Sequence, residues 1–129
     1  MVRKIAFAAM LGAVTLVATP SRAQELVESY IAFLSEADHF NSNGQRLSSA
    51  AAIIRQDRAN YYRFGRGDPQ DQDDVFFRDI GNREALERML ERGRSTPGTI
   101  ARIVNGTVLI RVDIYRDNGG PFVQVTVLN

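Results

Sequence analysis

The chain has 129 residues, of which 44% are hydrophobic and 24% charged, with no Cys and no Trp. This composition is typical of a globular domain and excludes disordered, collagen-like and multi-span membrane classes. Three of the 16 basic residues and none of the 15 acidic residues precede residue 24, so the remainder is slightly acidic. Net charge therefore gives no support to polyanion binding, and no nucleic-acid partner is expected.

The N-terminus predicts export. A basic start precedes an apolar run over residues 5–18, and the small residues Ser21 and Ala23 stand where a signal peptidase requires them. We expect a cleavable secretory signal peptide at residues 1–23, with cleavage before Gln24. An uncleaved anchor is not favoured, because a helix of about 14 residues reaches about 21 Å and a hydrocarbon core measures ~30 Å.

The remaining residues, 24–129, are long enough for one domain that buries roughly 65% of its unfolded surface. Because the chain has no Cys, this domain must be stabilised by packing rather than by disulfides. We expect it to be soluble and either periplasmic or secreted, with no membrane span once the signal peptide is removed.

A strand and a long loop are predicted at the start of this domain. Residues 25–36 fit both strand alternation and helical spacing, and a strand over about 29–35 is favoured. The polar segment 36–46 follows, and its Asn43-Gly44 pair is a turn signal. We therefore expect residues 36–46 to form a connecting loop.

Four helices are predicted after the loop, each with a capping residue at its start and apolar residues at helical spacing. Their expected spans are from Ser48 or Ser49 to Gly65, from Asp68 through Asp71 to about Arg78, over residues 83–92 after an Asn82 cap, and from Thr96-Pro97 to Gly106. The second of these helices is expected to bury Val75 and one of the two phenylalanines after it.

The clearest strand signal lies at the C-terminus, where residues 107–115 and 122–128 flank a turn-rich connector. If Tyr115 pairs with Phe122, the isoleucine and valine residues of both strands share one apolar face, and a one-residue slip would destroy this sorting. We predict an α+β domain: a small antiparallel sheet, made of one N-terminal strand and the C-terminal hairpin, with about four helices packed on one face.

Catalysis is one hypothesis for the 36–46 loop. His39 is the only histidine and follows Asp38, so it is a candidate general base with Asp38 or Asp57, and Ser42 is a candidate nucleophile. A small hydrolase-type enzyme is therefore one alternative. The other is a turn-rich loop whose side chains satisfy its own backbone, and the sequence favours this non-catalytic interpretation.

A binding surface is predicted at the same loop and the helix that follows it. Asp57 lies on the inward-leaning side of this helix, where a buried carboxylate needs a partner. We expect it to accept hydrogen bonds from an Arg or from the backbone of the loop. The candidate binding residues are Asn41, Asn43, Arg46, Gln56, Asp57 and Arg58.

No metal site and no cofactor are predicted. The acidic residues Asp68, Asp71, Asp73 and Asp74 raise the question of calcium, but they lack the EF-hand spacing, and helix capping accounts for acids at a helix start. One His without Cys does not form a usual zinc site. The chain also has no glycine-rich phosphate loop.

The second face of the predicted sheet supports a further alternative, a protein–protein interaction module that uses this face or a sheet edge. Its residues are Arg111, Asp113, Tyr115, Phe122, Gln124 and Thr126.

Residues 38–47 (DHFNSNGQRL) and 54–65 (IRQDRANYYRFG) resemble an uncharacterised family of small exported proteins of Gram-negative bacteria. The resemblance implies a bacterial origin and export, and it implies no particular activity. We therefore favour an exported, non-catalytic domain with a binding or envelope-associated role. Its partner is unknown, and another envelope protein is the candidate.

Overall fold

The computed structural model describes residues 9–16 and 24–129 of the chain. The predicted signal peptide therefore lies largely outside the described residues, as does the residue before the expected cleavage point. Residues 9–16 have no regular secondary structure. In the two described ranges, no helix is both long and apolar enough to cross a membrane.

Three antiparallel strands form one sheet in the order β1 (Glu25–Leu34), β2 (Val108–Asp117), β3 (Gly120–Val127). The hairpin has the predicted register, with Tyr115 opposite Phe122. The N-terminal strand is present but begins about four residues earlier than predicted, with an irregularity in its pairing to β2 near its start. The predicted α+β class, with its N-terminal strand and C-terminal hairpin, is confirmed.

One face of the sheet is buried against the helices. In β1 this face carries Tyr30, Ala32 and Leu34, which lie opposite buried β2 residues. Because alternate side chains point to opposite faces, the single register keeps this side apolar across all three strands. From the helical layer, the core includes Ile53, Ile54, Phe77, Leu86, Met89 and Ile103.

The first helix, α1 (Ala50–Tyr62), follows its predicted signals. Of the two predicted caps, Ser49 is the N-cap, and its side chain accepts a hydrogen bond from the backbone N–H of Ala52. Gly65 lies just beyond the end with φ of 62°, a left-handed conformation that glycine adopts without strain.

The predicted helix from Asp68 to Arg78 is wrong. The chain makes one turn after Asp68, runs extended, and forms a 3₁₀ turn only over Phe76–Arg78. The reason is tertiary: Asp71 and Gln72 bond to the outer edge of β1, where the Asp71 carboxylate accepts from the Phe33 N–H at 2.8 Å. Covering this edge satisfies strand donors that a helix would leave unpaired.

The predicted burial of Val75 and one of the two following phenylalanines is confirmed only for the phenylalanine. Phe77 is buried in the core and Phe76 packs against it, but Val75 is 69% exposed. The backbone N–H groups of Val75 and Phe76 instead bond to the carboxylate of Glu28 on β1.

Two short helices replace the predicted third one: α2 (Ile80–Glu84) and α3 (Leu86–Arg92). The predicted Asn82 cap is wrong, since Asp79 is the N-cap of α2 and its side chain accepts from the Asn82 backbone N–H. The Asn82 amide donates to the carbonyl of Phe76 instead.

The last helix, α4 (Pro97–Asn105), begins and ends as predicted, with Thr96 as the N-cap and Gly106 after its final turn. The segment between α3 and α4 covers the outer edge of β3, where the Ser95 hydroxyl accepts from the Val125 N–H at 3.0 Å. At Gly93 the two backbones are so close that a Cβ atom would lie 1.8 Å from the Val123 carbonyl oxygen.

Candidate functional site

His39 lies in the 3₁₀ turn Glu36–His39 after β1 and is only 3% exposed. Its Nδ1 is 2.7 Å from the carbonyl oxygen of Ser35, and its Nε2 is 2.8 Å from that of Ile103 on α4. A general base must present a free ring nitrogen to its substrate. Because both ring nitrogens contact backbone acceptors, the geometry gives His39 a structural role and does not favour a His–Asp base.

Asp38 is buried beside His39, but its carboxylate points elsewhere. One oxygen accepts from the Ser35 backbone N–H at 3.0 Å and from the Ser35 hydroxyl at 3.1 Å. The other accepts from the Asn60 amide at 2.8 Å. Asp38 therefore caps its own turn and ties that turn to α1, the role that the sequence analysis gave to Asp57.

The rest of the loop is held by its own polar side chains. The Asn41 side-chain oxygen accepts from the backbone N–H groups of Asn43 and Gln45, both at 2.9 Å. Arg46 donates to the Val104 carbonyl at 2.6 Å, which joins the loop to α4. Of the predicted binding residues here, Asn43 is exposed at the loop tip, whereas Arg46 is bonded to backbone.

Asp57 and Arg58 form the centre of a buried ionic network. The Arg58 Nε donates to Asp57 Oδ2 at 2.9 Å, and its Nη1 donates to Asp74 Oδ1 and to the Gln72 carbonyl at the same distance. Asp57 thus has the expected Arg partner, but it is the neighbouring residue on α1. Both side chains are buried, so neither contributes to the predicted binding surface.

Three tyrosine rings surround the Arg58 guanidinium. The carbon centre of this group is 4.3 Å from the ring centre of Tyr30, 4.7 Å from that of Tyr61 and 5.5 Å from that of Tyr62. Arg58 Nη2 has no hydrogen-bond partner in the described ranges, and the electron-rich ring faces compensate for part of this loss. The network is therefore a structural core feature built around one cation.

The acidic segment 68–74 divides into separate roles. Asp71 bonds to β1, Asp73 pairs with Arg78 at the surface, and Asp74 accepts from Arg58 and from the Phe77 N–H. Asp68 groups with two acidic residues from outside this segment, Asp38 and Asp57. The four residues therefore do not form one calcium loop.

An aspartate cluster, defined as Asp38, Asp57 and Asp68, forms where the 3₁₀ turn, α1 and the following loop meet. One side-chain oxygen from each residue lies within 4.8 Å of the other two. Burial raises the pKa of Asp57 well above its ordinary value, against the opposing effect of Arg58, and the nearby Asp38 and Asp71 carboxylates add to the rise. Burial and the same two carboxylates also raise the pKa of Asp68.

A groove runs between the loop and the outer side of α1. We call it the loop–helix groove; it consists of two adjoining depressions of about 430 and 290 Å³. Both depressions are lined by Asn41, Ser42, Gln56 and Phe64, and Arg55, Arg63, Arg66 and Asn60 complete the polar lining. Two predicted binding residues, Asn41 and Gln56, therefore do lie at a surface depression.

The charge of the loop–helix groove is one-sided. Among the residues that the structure describes, no acidic one lines either depression. The three arginines Arg55, Arg63 and Arg66 are exposed, and none of them pairs with a carboxylate of residues 9–16 or 24–129. None of these arginines was predicted as a binding residue, although Arg55 on α1 and Arg63 at its C-cap are eight residues apart, a spacing that places two residues on one side of a helix.

The second sheet face is less favoured than the loop–helix groove as a binding site. Tyr115 and Phe122 stack with ring centres 5.5 Å apart, and Arg92 lies over Phe122 at 5.3 Å, so Phe122 is buried. Both sheet edges are contacted by chain segments, as described above. An interaction through a free sheet edge is therefore not favoured.

Comparisons of the chain with protein-family models, with curated proteins and with solved structures find no match. The fold and the candidate site together define a small α+β domain with a cationic surface groove.

Proposed function

We propose that the chain is an exported, non-catalytic binding domain of the cell envelope, periplasmic or secreted, which binds an anionic ligand in the loop–helix groove. The observation that carries this proposal is the unbalanced positive charge of the groove. Guanidinium groups bind carboxylates and phosphates through paired N–H donors, and arginines that pair with no carboxylate among residues 9–16 and 24–129 are free to do so.

The remaining lining supports a polar ligand of some size. The Gln56 amide bonds to the Asn60 side-chain oxygen at 2.9 Å, which fixes the orientation of both groups on the groove floor. Phe64 is 41% exposed and adds an apolar surface beside Arg63, whose guanidinium lies 5.1 Å from its ring centre. Oriented amides beside an aromatic ring and cations are typical of a binding site, and they suit an acidic oligosaccharide.

The position of His39 supports a role without catalysis. It is the single histidine of the chain, and both of its ring nitrogens contact backbone carbonyls. The hydrolase alternative needs a ring nitrogen that accepts a proton from a substrate or nucleophile, and this geometry gives it no support.

Export is supported by the sequence of residues 1–23 and by the resemblance to exported bacterial proteins. Mass spectrometry of the protein from fractionated bacterial cells tests it. We expect the periplasmic or secreted form to begin at Gln24, and recovery of only the intact chain from the cytoplasm would contradict export.

Calorimetric titration with an oligogalacturonate, and with a neutral maltooligosaccharide of equal length as the comparison, tests the groove. We expect binding of the acidic sugar only, with affinity that falls as salt concentration rises. The double variant Arg55→Gln and Arg63→Gln should weaken binding by about tenfold or more, since each charge-assisted hydrogen bond is worth ~1.5–3 kcal/mol.

Arg88→Gln is the matched control, because Arg88 is exposed on α3 and lies outside the groove. It should bind as the unchanged protein does. Equal binding by the double variant, or equal binding of the neutral sugar, would refute the groove as the anion site.

A further inference from the structure

We propose that Asp38, Asp57 and Asp68 form a calcium-binding site. The three carboxylates come from three different segments of the chain, and one oxygen from each lies within 4.8 Å of the others. Calcium ligands lie at about 2.3–2.6 Å from the ion, so oxygens on opposite sides of it are about 4.6–5.2 Å apart. The three carboxylate oxygens are therefore close enough together for one calcium ion to contact all of them.

A second observation points to a ligand in this place. Asp57 is only 1% exposed, and its Oδ1 has no hydrogen-bond partner among the described residues, whereas Oδ2 is taken by Arg58. A buried carboxylate oxygen without a partner is costly, because it has lost its water and gained nothing in return. A cation held together with Asp38 and Asp68 supplies the missing contact.

The charges around the aspartate cluster also favour a bound cation. Asp71 stands close enough to both Asp57 and Asp68 to act on them electrostatically, so four carboxylates share this region. The nearby cation is Arg58, which also serves Asp74. A divalent ion offsets two of the remaining negative charges, which one arginine shared among several acids does not balance.

The neighbouring residues hold the proposed ligands in place. Asp38 is oriented by Ser35 on one oxygen and by Asn60 on the other. Asp68 is half-buried and therefore faces solvent, from which water molecules complete the coordination of calcium. The ion would join the turn after β1, α1 and the loop that follows it. This inference does not depend on the function proposed for the groove.

The test is a calorimetric titration of the EDTA-treated, dialysed protein with calcium chloride. We expect one ion per chain with a dissociation constant on the order of 10⁻⁴–10⁻³ M, the range of extracellular calcium modules. Amide NMR shifts on calcium addition should concentrate at residues 35–38, 57 and 67–72. Magnesium should bind more weakly, because it demands shorter distances and gives up its water reluctantly.

Asp57→Asn and Asp68→Asn should each weaken calcium binding by about tenfold or more, since each removes one charged ligand. Asn at residue 57 still accepts from Arg58, and Asp68 is half-buried, so both variants should fold; circular dichroism checks this. Asp73→Asn, at an exposed acid outside the cluster, is the control and should bind normally.

Absence of a binding heat up to several millimolar calcium would overturn the proposal. A proton shared between carboxyl groups would then reduce the negative charge of the cluster instead. Equal loss in the control, tighter binding of magnesium, or shifts centred outside the aspartate cluster would overturn it as well.

Discussion

The imidazole of His39 lies between two backbone carbonyl oxygens, and the more distant of them in sequence belongs to Ile103, 64 residues later, at 2.8 Å from Nε2. A neutral ring carries one N–H and satisfies one of these oxygens, whereas a doubly protonated ring satisfies both. Since Ile103 lies in the last part of α4, this contact joins the turn after β1 to the last helix.

His39→Ala should therefore lower the free energy of unfolding by about 2–4 kcal/mol, because it opens a cavity and removes the ring contact with the carbonyl oxygen of the buried Ile103. Urea unfolding followed by circular dichroism measures this. Asn43→Ala, at an exposed residue of the same loop, is the control and should stay within about 0.5 kcal/mol of the unchanged protein. An equally small effect at His39 would contradict its structural role.

Val112→Asp should abolish folding. Val112 lies at the centre of β2 on the fully buried face, opposite Tyr30 on one side and Val125 on the other. An unpaired charge there costs several kcal/mol, comparable with the whole stability of a small domain. The measurement is the recovery of soluble protein with a cooperative thermal transition.

The control for this substitution is Thr126→Asp on the opposite sheet face. Thr126 is exposed and lies opposite Arg111 in the register, so the new carboxylate gains a cation as cross-strand neighbour. This variant should fold normally. A cooperatively folding Val112→Asp protein would show that the buried face has been assigned wrongly.

The parts of the fold that could be predicted from the sequence are those with local signals. The hairpin register follows from alternation over two adjacent strands, and α4 follows from Thr96-Pro97 and Gly106. The helix expected from Asp68 fails although its signal is real: Asp71 does bond back to the Asp68 N–H at 2.8 Å. Its other carboxylate oxygen bonds to β1, and this distant contact holds the segment in a single turn instead of a helix.

The candidate sites were harder to predict than the fold, because they are formed by residues that are distant in sequence. Asp57 is 19 residues after Asp38 and 11 residues before Asp68. Asp68 also begins a segment that was predicted as a helix, so no spacing rule brings the three residues together. Asp57 could be expected to find an Arg, but the sequence does not say that this Arg is Arg58, that both are buried, or that tyrosine rings surround Arg58. The imidazole of His39 made it a candidate general base, but its contact with the carbonyl of Ile103 gives it a structural role.

Gly93→Ala should destabilise the protein by about 1–3 kcal/mol. The added Cβ would lie 1.8 Å from the Val123 carbonyl oxygen, so α3 and β3 must move apart, as in other overpacked contacts. Gly98→Ala is the matched control, because its Cβ would meet nothing nearer than 3.9 Å and alanine favours the helix there. It should be stabilising by about 0.4–1 kcal/mol, and loss of stability in both variants alike would contradict this account.

Two tyrosines should make the protein sensitive to alkali. Burial raises the pKa of Tyr30 well above its ordinary value, against the opposing effect of Arg58. Burial and the hydrogen bond to Asp74 raise that of Tyr62. Both folded-state pKa values therefore lie above the unfolded value of about 10. The stability that these groups contribute is fully present below pH 10 and is lost as the pH rises through the folded-state pKa values, because the unfolded chain releases its protons first.

Spectrophotometric titration of tyrosinate should show this directly. In concentrated urea the four tyrosines of the chain should ionise together near pH 10. In the folded protein, two should ionise only well above that pH, and Tyr62→Phe should remove one of these two while its circular dichroism spectrum stays folded. Ionisation of all four at the ordinary pH in the folded protein would contradict the burial of Tyr30 against Arg58, and with it the arrangement of the ionic network at the centre of the helical layer.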